Sequence, residues 1–249
     1  MEWRDEGIII GARKHGETSV IAELMTRSHG RHLGLVRGGH GKRLSAVLQP
    51  GNSVDAVWRA RMDEQLGAYV IEAGRARAGR IMASAAALHA ITWLGAMLRC
   101  LPEREPHEGL YQALLLVADH LDAPAIAPAL MVRFELEVLA NLGFSLDLTQ
   151  CAATGARTDL PYVSPKSGRA VSRAAGEAYR DRLLVLPEFL RQPGARATPT
   201  PADVAAGFVL TGHFLARDIF EPRGAGGALA ARAAYLAELA RADGLSAAR

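Results

Sequence analysis

The sequence predicts an α+β chain, with a small five-stranded barrel at the N-terminus and an α-helical domain after it. Three observations predict this. Residues 1–78 contain short apolar runs that alternate with polar or small side chains and are cut by turn signals. From Gly79 onward the apolar spacing changes to a helical one. Hydrophobic residues make up 49% of the chain, many of them alanine, which supplies a core and favours helices. The change of period divides the chain into a first domain, residues 1–78, and a second, residues 79–249.

The candidate strands are 7–14, 19–26, 31–36, 53–61 and 66–72. Val20, Ala22 and Leu24, and Val54, Ala56 and Trp58, show the two-residue repeat of a half-buried strand. Breaks fall at His15-Gly16-Glu17, Ser28-His29-Gly30, residues 38–41, Pro50-Gly51-Asn52 and residues 62–65. Five short strands can close as a small barrel, for which the oligonucleotide-binding (OB) barrel is a frequent solution. An SH3-like barrel or a small sandwich gives a similar pattern.

Helices are predicted over 80–101, 107–121, 128–142, 202–220 and 225–242. In the third, Leu130, Phe134, Val138 and Leu139 line an apolar face and Gly143 suits a C-terminal cap. Residues 81–98 carry no formal charge, but Ser84, His89, Thr92 and six alanines make them a buried core helix rather than a membrane span. Residues 145–176 break the helical run and read as a small irregular insertion. The N-terminus, Met-Glu-Trp-Arg-Asp-Glu, lacks the basic start and apolar run of a signal peptide. Cys100 and Cys151 give no disulfide framework and suit a reducing, cytoplasmic setting.

Charge is unevenly distributed. Lys and Arg outnumber Asp and Glu by 13 to 9 in residues 1–80 and again in 151–249, while residues 81–150 carry 3 against 8. The sharpest excess is TRSHGRHLGLVRGGHGKR, residues 26–43, which is glycine-rich and has no acidic residue. Arg27, Arg31, Arg37, Lys42 and Arg43 are its cations, with His29, His32 and His40 between them. Positive charge on glycine-rich turns suits a polyanion, whose phosphates backbone and side chains approach together. A solvated basic hairpin would read the same way.

Enzymatic readings find no support. Gly38-Gly-His-Gly-Lys42 lacks the spacing and the following Ser/Thr of a nucleotide P-loop, since Val36 and Arg43 stand at those positions. There is no Gly-x-Ser-x-Gly elbow, neither cysteine has a nucleophile's context, and Glu135 and Glu137 point to different faces of one helix. No cofactor is implied. The classes left open are a nucleic-acid-binding barrel for DNA, an RNA- or ribosome-associated OB protein, and a protein-interaction scaffold.

One combination of residues is more specific. Glu2-Trp3 leading into Gly7-Ile-Ile-Ile, then Gly16-Glu17-Thr18-Ser19-Val20, Val36-Arg37-Gly38-Gly39 and Leu48-Gln49-Pro50-Gly51 resembles the RecO family of bacterial DNA repair and recombination mediators. The likeness continues through Leu142-Gly143-Phe144, Leu146-Asp147-Leu148, Cys151 and Ser167-Gly168, and so covers nearly the whole chain. It implies an N-terminal OB barrel, a helical domain, and an activity without turnover. The implied activity is binding of single- and double-stranded DNA and annealing of complementary strands. The implied partners are RecR, the C-terminal tail of the single-stranded-DNA-binding protein and, indirectly, RecA. Some members hold zinc with two Cys-x-x-Cys pairs, but here the matching positions read Cys151-Ala-Ala-Thr154 and Ser172-Arg-Ala-Ala175. One thiolate is too few for structural zinc, which takes about four ligands, so no metal is expected. Packing around Leu160, Tyr162 and Val163 should then hold the insertion.

If the barrel binds DNA, the leading phosphate contacts are Arg31, Arg37, Lys42 and Arg43, followed by Arg27, His40, Arg13 and Lys14. Trp58 and Tyr69 lie in candidate strands, where they can stack on bases or fill the core. Arg99, Arg133, Arg217 and Arg223 are candidates for an acidic partner tail.

Overall fold

A computed structural model describes residues 1–191 and 198–242. The chain forms two compact units, one made of Met1–Ala123 with the segment from Ala228 onward, the other of Pro124–Gly227.

The first unit begins with β1 (Glu2–His15), β2 (Ser19–Thr26) and β3 (Gly30–Val36), followed by a short helix α1 (Lys42–Val47), β4 (Ser53–Arg59) and β5 (Ala68–Ala73). The strands close as a barrel in the order β1-β2-β3-β5-β4, antiparallel except for the β3–β5 pair, which is parallel. A helix between the third and fourth strands of such a five-stranded barrel completes the OB-type architecture. The alternation seen in the sequence is the inside of this barrel: Val20, Ala22, Leu24, Val54, Ala56, Trp58 and Tyr69 meet Ile9, Val36 and Leu48 in one core. α1 plugs one end, turning Leu44 and Val47 onto that core.

Two features differ from the sequence reading. β1 starts at Glu2 rather than at residue 7, because Trp3 enters the barrel while Glu2, Arg4 and Glu6 face solvent. Lys42–Val47, which no predicted element covers, is helical. Its glycine-rich approach hides a single apolar turn, Leu44, Val47 and Leu48, spaced to face the barrel.

After β5 come α2 (Ala78–Met82), α3 (Ala85–Leu98) and α4 (Glu108–His120). The uninterrupted helix expected over 80–101 is split because the Ser84 side chain accepts a hydrogen bond from the Ala87 N–H and starts α3 afresh. α3 packs against β1, where a Cβ on Gly95 would lie 2.9 Å from the Ile10 carbonyl. A side chain there would push the helix off the strand. Among the described residues no helix is long and apolar enough to cross a membrane.

The second unit contains α5 (Ala127–Asn141), the two-residue strands β6 (Tyr162–Val163) and β7 (Ala170–Val171), α6 (Arg173–Gly176), β8 (Leu184–Val185), α7 (Glu188–Arg191) and α8 (Pro201–Phe214). α8 opens with a capping box in which Thr200 and Asp203 bond each other's backbone N–H, and it packs on α5. Buried Glu135 of α5 accepts a hydrogen bond from the Thr211 hydroxyl of α8. The segment expected to be irregular contributes two strands, β6 and β7, of a three-stranded sheet β7-β6-β8, with Leu160 and Val163 fully buried and Tyr162 partly so. Cys151 is buried and accepts a hydrogen bond from the Ser172 N–H at 3.2 Å, so the two motif halves aligned in the sequence meet in space. Burial opposes a thiolate there, but hydrogen bonds from Ser172, Thr154 and the Ala153 N–H outweigh it and draw the thiol down to about 6. Among the described residues no three His, Cys, Asp or Glu side chains are grouped to hold a metal.

α9 (Leu229–Ala242) belongs to the first unit and packs on α3.

Candidate nucleic-acid interface

OB barrels commonly bind oligonucleotides on the outer face of strands 2 and 3 and on the loops beside it. In this chain much of that face is not open. Every β2 residue from Val20 to Thr26 is buried, because Val20, Ala22 and Leu24 point into the barrel while Ile21, Glu23 and Met25, pointing outward, are covered as well. Arg99, just past α3, donates to Glu23 at 2.7 Å and to the Ile10 carbonyl at 3.3 Å. On β3 the outward residues Arg31, Leu33 and Leu35 are only partly exposed.

The end of the barrel remains accessible. Lys14 pairs with Val20, and Val20 with Val36, so the tip of the β1–β2 hairpin and the exit of β3 lie side by side, about 10 Å apart across two strand spacings. The turn after β3 folds onto this tip: the His40 N–H donates to the Thr18 carbonyl at 3.2 Å, and Gly39 is pressed against Val20. α1 begins directly afterwards. As a result Arg13 and Lys14 from the hairpin, Arg37 and His40 from the turn, and Lys42 and Arg43 from the start of α1 share one end of the barrel. All are exposed except His40, which is half-buried. None of the five Arg and Lys residues makes an ion pair among the described residues, and Glu17 is the one acid in these two loops. Such a cluster repels itself unless an anion neutralises it. His15, beside Lys14 and also exposed, was missed in the sequence, where nothing ties the hairpin tip to the later glycine-rich turn.

Arg27 and Arg31 are placed differently. They sit at the β2–β3 turn, at the far end of strands about 20 Å long. Arg27 bonds Glu6 at 3.1 Å and Glu108 at 3.0 Å. Arg31, expected to be a leading phosphate contact, is instead a largely covered structural cation. Its side chain is 12% exposed and bonds Glu23 at 2.8 Å, Glu103 at 3.4 Å and the Leu101 carbonyl at 3.2 Å. Its partners lie 8 and 72 residues away in sequence, which is why the sequence shows a bare cation.

The remaining aromatic and histidine candidates form a cluster inside and beside the barrel. Trp58 is fully buried and donates to the Leu66 carbonyl, and Tyr69 is 4% exposed, so neither offers a face to a base. Trp3 stacks on His29 at 4.1 Å and on Trp58 at 5.7 Å. His29 bonds Asp5 at 2.9 Å. His32 is buried edge-on to Trp58, with Nδ1 near the Tyr69 hydroxyl. Burial, reinforced by the charge of Arg104, lowers its pKa to about 4 and keeps it neutral at pH 7. The cations considered for an acidic tail are engaged too. Arg99 holds Glu23, Arg133 bonds the Phe189 carbonyl, Arg217 lies over the Phe214 ring and bonds Asp218, and Arg223 bonds the Ile219 carbonyl.

Comparison with known proteins gives a concordant result. The family model described as Recombination protein O N terminal matches residues 1–80, and the one described as Recombination protein O C terminal matches residues 83–225. Among similar proteins is a DNA repair protein RecO of Methylocella silvestris, 61% identical over 241 residues that cover 97% of each chain. A DNA repair protein RecO of Methylobacterium nodulans is 61% identical over 227 residues, covering 90% of this chain and 92% of that one. One from Afipia carboxidovorans is 55% identical over 242 residues, covering 97% of each. With two family models spanning most of its length and relatives at these identities, the chain belongs to the RecO family.

Proposed function

We propose that this chain is a non-enzymatic DNA-binding recombination mediator acting in recombinational DNA repair. The observation that carries the reading is the group of cations at one end of the barrel, Arg13, Lys14, Arg37, Lys42 and Arg43, which make no ion pair among the described residues. Relatives that share most of the sequence are named for DNA repair. Phosphate contacts carry no base information, so binding is tolerant of sequence and weakens with salt. Annealing follows from screening: a protein that neutralises two strands lowers their repulsion and leaves base edges free to pair. In this reading the chain works with RecR, engages the acidic tail of the single-stranded-DNA-binding protein, and so assists RecA onto covered single strands. No step of this sequence makes or breaks a covalent bond.

The test is fluorescence anisotropy of labelled single- and double-stranded oligonucleotides over a salt series. Engagement of about four phosphates on a single strand gives a log–log salt slope near −3. Arg37→Glu/Lys42→Glu/Arg43→Glu abolishes binding and strand annealing together, while Arg27→Gln, at the other end of the barrel, leaves both in place. Undiminished binding by the triple variant would overturn the assignment of this end as the interface.

A further inference from the structure

Beside the proposed phosphate contacts lies a solvent-open groove of about 370 Å³, walled by Ser45, Ala46 and Gln49 of the α1 region and by Ala76, Ala78, Gly79 and Met82. It is uncharged throughout. Asn52 forms its floor and is fully committed, its Nδ2 donating to the Ala46 and Val47 carbonyls and its Oδ1 accepting from the Arg77 and Ala78 N–H groups. The Gln49 Nε2 donates one hydrogen to the Ser45 carbonyl, which leaves its Oε1 and its second N–H to meet the edge of a ligand. Met82 is 54% exposed, so an apolar, polarizable thioether faces the opening.

The charges around the groove are arranged asymmetrically. Arg75 and Arg80, near one wall, are tied to Asp119 and Asp122 at 2.8 and 3.2 Å. Lys42 and Arg43 are exposed and without ion pairs among the described residues. Lys42 stands four residues before Ala46, one helical turn away on the same side of α1. A backbone phosphate held there would present the next nucleotide's base to the groove.

We infer that this groove receives one unpaired nucleobase of a single strand whose phosphates lie on Lys42 and Arg43. The inference rests on the DNA-binding reading above. The uncharged walls suit the flat, mostly apolar body of a base better than an acidic peptide, whose carboxylates would find no cation inside. A paired base cannot enter, so the groove gives the chain a preference for single strands that the phosphate contacts alone do not supply.

The test uses the full chain and a labelled single strand of about 12 nucleotides, compared with a strand of the same length carrying abasic residues and with a duplex. Wild type should bind the base-bearing strand about tenfold more tightly than the abasic one, which corresponds to about 1.4 kcal/mol of added contact. Gly79→Leu and Ala46→Phe should each bring that ratio close to one while leaving the abasic and duplex affinities unchanged. Both sites accept a larger side chain, since a Cβ on Gly79 meets nothing within 4 Å and Ala46 is exposed. Equal binding of the two strands by wild type, or a ratio that survives both variants, overturns the inference and leaves the DNA-binding reading intact. Loss of an acidic, apolar peptide's binding in Gly79→Leu, with the strand ratio unmoved, would make the groove a peptide site instead. If wild type binds no strand at low salt, the reading beneath the inference fails.

Discussion

Removing Arg31 separates the structural cations from those proposed to bind phosphate. Arg31→Ala deletes ion pairs to Glu23 at 2.8 Å and Glu103 at 3.4 Å and a hydrogen bond to the Leu101 carbonyl. It strands the Glu23 carboxylate, 11% exposed, with Arg99 at 2.7 Å as its remaining charged partner. Breaking a buried pair by removing one side typically costs about 3–5 kcal/mol. Because Arg99 still neutralises Glu23 and Glu103 is half exposed, the expected loss here is about 2–3 kcal/mol. The assay is urea unfolding followed by tryptophan emission. Trp3, Trp58 and Trp93 all lie in the first unit, so the signal reports that unit. With a urea slope of about 2 kcal/mol per molar, the midpoint should fall by about 1 M. DNA binding measured below that transition should keep the wild-type salt slope. Arg37→Ala should do the reverse, holding stability within about 0.5 kcal/mol while the slope loses about 0.7. An Arg31→Ala protein of unchanged midpoint and reduced salt slope would refute the assignment of Arg31 to the barrel's ion-pair network.

The aromatic cluster makes the first unit acid-labile. His32 binds its proton near pH 4 when folded and near 6.5 when unfolded, so its contribution is full above pH 6.5 and is lost as pH falls toward 4. The loss approaches roughly 3 kcal/mol at the bottom of that window, and His32→Phe should flatten the stability profile between those limits, read as urea midpoint against pH. At the β2–β3 turn, Gly30 has φ +63° and a Cβ there would overlap the Glu105 carbonyl, whereas Gly16 has φ +62° but open space around it. Gly30→Ala should therefore destabilise by at least about 2 kcal/mol more than Gly16→Ala in the same unfolding assay.

Much of the barrel was legible because burial there follows local rules. Val54, Ala56 and Trp58 alternate, and β4 obeys. The near-continuous run Ile21 to Met25 also carried a message, a strand covered on both faces, broken only by a glutamate whose arginine partners are remote in sequence. The start of β1 was illegible because Glu2, Arg4 and Glu6 look like a solvated terminus, although Trp3 is the residue that commits it to the core. α1 was hidden by its length, since a single turn has too few apolar positions to show a period. The basic stretch of residues 26–43 was visible as a composition and invisible as a geometry. Folding sends Arg27 and Arg31 to one end of the barrel and Arg37, Lys42 and Arg43 to the other, where residues 13 and 14 join them. Whether a cation is free depends on long-range neighbours, and no window of sequence contains those.

The packing of α9 on α3 has a consequence for how the chain is made. α3 has been synthesised once residue 98 is added, but the helix that covers it begins at Leu229, after all of residues 124–227 have been added. At about 5–20 residues per second, that interval lasts on the order of 7–26 s. Throughout it α3 can pack on β1 and α2 but lacks the helix that covers its remaining face. The first unit to emerge is thus finished only after the second has been made, and its maturation is timed by the synthesis of α9.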